Sequence, residues 1–126
     1  SILFNKSNIP SDHKLFKQLI DFNIEDIELE VLFPERYPIS PPFMRIKKPR
    51  FKYRTGHITL GGSICMELLT TQGWLPSMTM KKLLLQINML FIDGEAELDL
   101  NKWNVEYSLS EAKTAFSRMI RTHGWN

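Results

Sequence analysis

Hydrophobic and polar positions follow two different periods along the chain. Ile27, Leu29, Val31 and Phe33 alternate with Glu28 and Glu30, the period-2 pattern of a strand with one buried face. Pro34, Pro38, Pro41 and Pro42 follow, and each lacks the N–H that a central strand must donate, so the ladder breaks there. Phe43 to Lys47 resumes as a short strand. Gly56, Gly61 and Gly62 then mark an irregular loop. From Thr79 onward the period changes: Met80, Leu83, Leu84, Ile87, Leu90 and Phe91 recur at helical spacing, with Lys81 and Lys82 on the outer face. A second helix opens on the capping box of Ser108 and Glu111 and runs through Leu109, Ala112, Phe116, Met119 and Ile120. Gly124 is its expected stop. Residues 1–23 carry no clear period; Ile2-Leu3-Phe4 reads as the end of a strand and Asn8-Ile9-Pro10-Ser11-Asp12 as a turn. Strands first and helices last predict an α+β fold with an antiparallel sheet.

At 126 residues, without internal repeats or a linker-like stretch, the chain is expected to form one domain over 1–126. Its 43% hydrophobic and 24% charged residues are ordinary for a globular protein. A net charge of +2 is too small to point to nucleic acid or a membrane. No apolar run approaches the length needed to span a bilayer, and Lys6, Asn8 and Asp12 interrupt any signal-peptide pattern. A single cysteine, Cys65, excludes an intrachain disulfide framework and, without a Cys/His cluster, a structural zinc site. A free thiol fits a reducing compartment, so a cytoplasmic or nuclear protein is expected. One local feature stands apart. Arg45, Lys47, Lys48, Arg50, Lys52 and Arg54 place six cations in ten residues, with Phe51 and Tyr53 interleaved. Such alternation suits single-stranded nucleic acid; a solvated strand edge that discourages aggregation is the commoner arrangement.

Cys65 is the main candidate for chemistry. It sits in Gly61-Gly62-Ser63-Ile64-Cys65-Met66-Glu67-Leu68-Leu69, where small residues let another chain's backbone approach a nucleophile. The plainer alternative is a small buried hydrophobe, as most lone cysteines are. His13, His57 and His123 are scattered, and no spacing couples one of them to Cys65. A protease-like Cys/His pair is therefore not expected.

Two further features bear on that choice. Leu32-Phe33-Pro34-Glu35-Arg36-Tyr37-Pro38-Ile39-Ser40-Pro41-Pro42 is followed by Gly62-Ser63-Ile64-Cys65-Met66-Glu67-Leu68-Leu69 and then Trp74-Leu75-Pro76-Ser77-Met78-Thr79. Together and in this order they resemble the proline loop and active-site segment of ubiquitin-conjugating enzymes, over roughly residues 27–92. Cys65-Met66-Glu67-Leu68-Leu69 and Gln72-Gly73-Trp74 give the nearest likeness to the Q subfamily. The resemblance implies an antiparallel four-stranded sheet packed with helices. It also implies that Cys65 takes ubiquitin from the activating enzyme as a thioester and passes it to a substrate lysine, usually with a ubiquitin ligase. No metal or cofactor is called for. Ile39, Pro76 and Ser77 match the loops that bind ligases, whereas Trp74 is expected to be core packing.

Three departures qualify the resemblance. Gly56-His57-Ile58-Thr59 stands where most members carry His-Pro-Asn, leaving His57 as a candidate supporting residue and the Asn unmatched. Loss of one oxyanion donor costs on the order of 100- to 1000-fold where that donor matters, so slow discharge is expected. Ser1-Ile2-Leu3-Phe4 already reads as the first strand, so the chain is expected to resemble an N-terminally truncated core without the family's first helix. The acidic residue usually found beside the cysteine has no aligned counterpart; Glu97, with Glu95 and Asp99, is a candidate. The rival from another class is a weak or inactive adaptor of the same fold that binds ubiquitin or a ligase. A basic nucleic-acid-binding domain is a third reading.

Overall fold

The structure is a computed structural model that describes residues 1–125. Strand β1 (Ile2–Asn5) is followed by helix α1 (Lys14–Asp21), strands β2 (Asp26–Leu32) and β3 (Phe43–Lys48), and helices α2 (Met80–Asp93) and α3 (Leu109–His123). Short 3-10 turns lie at Lys6–Asn8 and Glu67–Leu69. The strands form an antiparallel sheet in the order β1-β2-β3. Phe4 pairs with Ile27 and Leu29 with Ile46, so one face of the sheet is apolar and buried. The intervening residues of β2 carry carboxylates to the other face, where Glu28 meets Lys47 at 3.5 Å and Glu30 meets Arg45 Nε at 2.8 Å. A slip of one residue would reverse both faces at once, which is why the alternation specifies the register. That alternation stops one residue early: Phe33 lies beyond β2, is 56% exposed, and packs edge-on to Tyr37 at 4.6 Å.

Three strands stand among the described residues where four are implied. Gly62–Ile64 lies beside β3 and bonds to it, Ile46 N–H to the Gly62 carbonyl at 2.8 Å and Ile64 N–H to the Met44 carbonyl at 3.3 Å. It forms only the isolated bridge of Ser63 with Arg45. The cause is local. Thr59 N–H and the Ser63 carbonyl, and Gly62 N–H and the Thr59 carbonyl, close a tight turn, and Gly62 takes φ +93°, outside extended geometry.

Helix α1 has no clear signature in the sequence, and its cap explains why. The N-cap is His13, whose Nδ1 accepts from Leu15 N–H at 3.0 Å while Nε2 faces the Ile92 carbonyl at 3.2 Å. Leu15 and Leu19, one turn apart, are fully buried, and Gln18 Oε1 accepts from Leu98 N–H at 2.7 Å. The two later helices follow their sequence signals. In α2, Leu83, Ile87 and Phe91 are buried at i, i+4 and i+8 while Lys81 and Lys82 face water. Phe91 is the centre of the core, with Phe4 edge-on and Phe51 stacked, each at 5.9 Å between centroids; burying one such side chain stabilises by about 1.5–3 kcal/mol. In α3 both bonds of the Ser108–Glu111 capping box are present, and Gly124 closes the helix in the left-handed region at φ 69°. Among the described residues no helix is long and apolar enough to cross a membrane.

Candidate active site

Between Phe51 and Trp74 the only regular element is the 3-10 turn, so other forces hold this segment. Two glycines are the first. A Cβ on Gly61 would lie 2.2 Å from the Glu111 carbonyl oxygen, and one on Gly62 2.5 Å from the Tyr107 ring; neither position admits a side chain without displacement. Buried hydrogen bonds are the second. Tyr107 Oη accepts from Phe51 N–H at 2.8 Å, and burial pushes its phenol up to about 12. Arg50 lies 4.3 Å over the same ring, donates to the Val105 and Glu106 carbonyls at 3.0 Å, and reaches the Glu111 carboxylate at 3.2 and 3.3 Å. Arg45, only 6% exposed, donates to the Tyr107 carbonyl at 3.0 Å as well as to Glu30. The basic run is thus only partly a solvated edge. Arg45 and Arg50 are built into the support of the glycine loop, whereas Lys52 and Arg54 stay exposed.

Cys65 sits at the end of this supported loop. The preceding Ile64 is fully buried and bridges Ile58, anchoring both sides of the turn. Cys65 N–H donates to the His57 carbonyl at 2.7 Å, a bond that accompanies a left-handed His57 backbone at φ 58°. The thiol is half-buried, and burial pushes its pKa above the ordinary thiol range. It lines an open groove of about 440 Å³ walled by Tyr53, Arg54 and the run 56–60, by Gly94, and by one face of α3 with Ala115, Arg118, Met119 and His123. His57 and His123 therefore share the groove with Cys65, although no sequence spacing couples them. Arg118 and His123 escape sequence reasoning for the same reason: they reach the groove through the packing of α3, some fifty residues away in sequence. His13 is elsewhere, capping α1.

The other candidates fall into two places. Glu97 does not line the groove; its carboxylate is ion-paired with Lys14, whose hydrogen bond holds it below the usual carboxylate range. Asp99 accepts from the Asn101 and Lys102 N–H groups at 3.0 Å in a turn. Ile39, Pro76 and Ser77 lie on two loops that Trp74 joins, through its Nε1–H donated to the Pro38 carbonyl at 2.7 Å, and all three are exposed. Trp74 itself is buried, as expected of core packing. Ile39 at 64% and Leu75 at 54% exposure leave this joined surface apolar, and Leu75 is a member that the sequence alone did not single out. Among the described residues no group of three or more His, Cys, Asp or Glu could hold a metal ion. The site offers a half-buried thiol at the end of a hydrogen-bonded loop, lining an open groove with cationic and titratable side chains, and a thiol so placed can carry an acyl group covalently.

Comparison with known proteins extends these observations. The family model described as "Ubiquitin-conjugating enzyme" matches residues 21–123. The chain is 34% identical over 122 residues to a Homo sapiens protein named as a Q-like ubiquitin-conjugating enzyme protein, covering 93% of this chain and 74% of that protein. It is 32% identical over 102 residues to Ubiquitin-conjugating enzyme E2 Q1 of Homo sapiens, 79% of this chain and 24% of that protein. To Ubiquitin-conjugating enzyme E2 25 of Caenorhabditis elegans it is 31% identical over 125 residues, 93% of this chain and 32% of that protein.

Proposed function

The chain belongs to the ubiquitin-conjugating enzyme family, with its similarity in the Q branch, and from that premise we propose that it is an acyl transferase carrying ubiquitin as a thioester on Cys65. The observation that supports this most is the half-exposed Cys65 thiol in an open groove, on a loop fixed by Gly61, Gly62 and the Tyr107 network. In the first transfer Cys65 Sγ attacks the thioester carbonyl carbon on the activating enzyme. The new C–S bond forms, the old one breaks, and the departing thiolate takes up a proton to replace the one that Cys65 gives to solvent. In the second, an acceptor lysine nitrogen attacks the same carbon. A C–N bond forms, the C–S bond to Cys65 breaks, and the sulfur leaves as thiolate while the amine proton passes to solvent.

Two features favour slow discharge. A thiol whose pKa is raised leaves less readily, and burial raises that of Cys65. The Cys65 N–H is already donated to the His57 carbonyl, so it is not free to stabilise an oxyanion. His57 is then a positioning residue through its carbonyl, and its imidazole is a candidate oxyanion donor. Glu97 keeps only an indirect supporting role, bonding through its backbone to Lys52 and Thr55 beside the groove. Ile39, Pro76 and Ser77 form the ligase-binding candidate surface, and the partners are the activating enzyme, ubiquitin, a ligase and a protein substrate in the cytoplasm or nucleus.

The rival is an adaptor of the same fold. The raised thiol pKa speaks for it, as does the lack of any Asn or Gln lining the groove among the described residues. Incubation with activating enzyme, ATP and ubiquitin separates the two. The enzyme forms an adduct that reducing agent removes, and Cys65→Ser gives a reductant-resistant ester or none; an adaptor forms no adduct while still binding ubiquitin or a ligase.

A further inference from the structure

We propose that the Cys65 groove selects acceptor segments that carry carboxylates beside the nucleophile, a specificity that rests on the thioester function proposed above. Its charged and titratable lining groups are Arg54, Arg118, His57 and His123, with the Tyr53 phenol; among the described residues no Asp or Glu lines it. Asp93 and Glu95 flank Gly94 in sequence, but they are not part of the walls. Lys6, Lys14, Arg45, Lys47, Lys48 and Arg50 each meet a carboxylate, whereas exposed cations such as Lys17, Lys81, Lys113 and Arg121 meet none among the described residues. Arg54 and Arg118, the two arginines of the groove, have no carboxylate partner among the described residues. Arg54 is moreover held in the left-handed region at φ 67°, with its guanidinium 5.5 Å from the Tyr53 ring. A non-glycine residue in that conformation is costly and tends to persist where function requires its placement.

An acceptor lysine entering this groove as an ammonium meets like charge, and the groove walls provide no carboxylate to offset it. Carboxylates on the acceptor segment itself reverse the sign of the encounter. They pair with the planar guanidinium groups of Arg54 and Arg118, and bring the neighbouring nucleophile to the thioester. No new covalent step is involved; the selected acceptor enters the C–N bond-forming transfer already described.

The test uses three fluorescein-labelled peptides, each with one lysine flanked by Asp/Glu, by Ser or by Arg, and the Arg54→Glu/Arg118→Glu double variant. Fluorescence anisotropy on the ubiquitin-free protein should show the acidic peptide binding about fivefold more tightly than the Ser peptide, since exposed ion pairs are individually weak. That preference should shrink towards nothing at about 0.5 M salt and invert in the double variant. In single-turnover discharge from the thioester, the acidic-to-Ser ratio of kcat/KM should exceed one through KM in the wild type and fall below one in the variant. Equal binding of the three peptides, or a preference that survives charge reversal, overturns the proposal. So does a single-stranded oligonucleotide that binds more tightly with the same arginine dependence, which would assign the groove to nucleic acid. If Cys65 takes no ubiquitin, the thioester function fails, while the anisotropy still decides this inference on its own.

Discussion

In the β2–β3 pair, side chains decide the structure: Ile27 and Leu29 face inward, Glu28 and Glu30 meet cations on the other face, and the ladder follows. In the segment from Phe51 to Trp74, what decides it is largely the absence of side chains. Gly61 and Gly62 let the backbone touch the Glu111 carbonyl and the Tyr107 ring, and arginine-to-carbonyl bonds hold the result. A sheet of the first kind tolerates change wherever the face and volume are kept. A loop of the second kind tolerates almost none at its contact points, yet leaves its outer surface, where Cys65 lies, free for chemistry.

The largest expected effect breaks this contrast at its sharpest point. Gly62→Ala should cost about 3 kcal/mol, the sum of a left-handed backbone penalty and overpacking against Tyr107, comparable to Leu29→Ala in the sheet. A Tyr107→Ala background should recover part of the cost of Gly62→Ala and none of that of Leu29→Ala. Urea unfolding of the single and double variants reads both; equal recovery would mean the loop is packed like the sheet. Next, Arg45→Leu leaves the Tyr107 carbonyl and the Glu30 carboxylate without their donor and should cost about 2 kcal/mol, tempered because Glu30 keeps 26% of its side-chain surface in water. Lys48→Ala, which loses only an exposed 3.9 Å pair, should change stability by less than about 0.5 kcal/mol.

His57 gives a more selective test. His57→Gly keeps the carbonyl that holds Cys65 and relieves the left-handed backbone, so stability should hold or rise by about 1 kcal/mol, whereas His57→Val should lower it by a similar amount. Any discharge lost by the stable glycine variant then belongs to the imidazole. The smallest effect is on acid stability. Arg45 and Lys14 hydrogen bonds hold Glu30 and Glu97 low; for Glu111, burial pushes upward but Arg50 and Ser108 outweigh it. Each carboxylate therefore binds its proton more weakly when folded. The stability they contribute is complete above the unfolded value of about 4.3 and fades as pH falls through the lowered folded values. Melting temperature followed from about pH 6 to about pH 3 should drop most steeply below that point, and less steeply in Glu30→Gln.

What could be read from the sequence divides along the same line. β2, β3, α2 and α3, the capping box and the Gly124 stop all follow from periodicity and end signals, because burial of side chains is what forms them. Helix α1 escaped because its cap is a histidine and it offers only two turns of pattern. The fourth strand that the resemblance implies is present only as one bridge with β3, because Gly62 and the turn over 59–63 limit it. At the site, Cys65 and Trp74 lay in recognisable local strings. Arg118 and His123 come to the groove through long-range packing of α3, and the placement of Arg45 and Arg50 depends on carbonyls more than fifty residues distant. No local pattern encodes either.

The central claim is that Cys65 carries the modifier, and intact-mass spectrometry tests it most directly. After incubation with activating enzyme, ATP and ubiquitin, the wild-type protein should gain the mass of one ubiquitin less one water, and lose it on treatment with reducing agent. Cys65→Ala should gain nothing. An unchanged wild-type mass, or an adduct that persists in Cys65→Ala, would contradict the account.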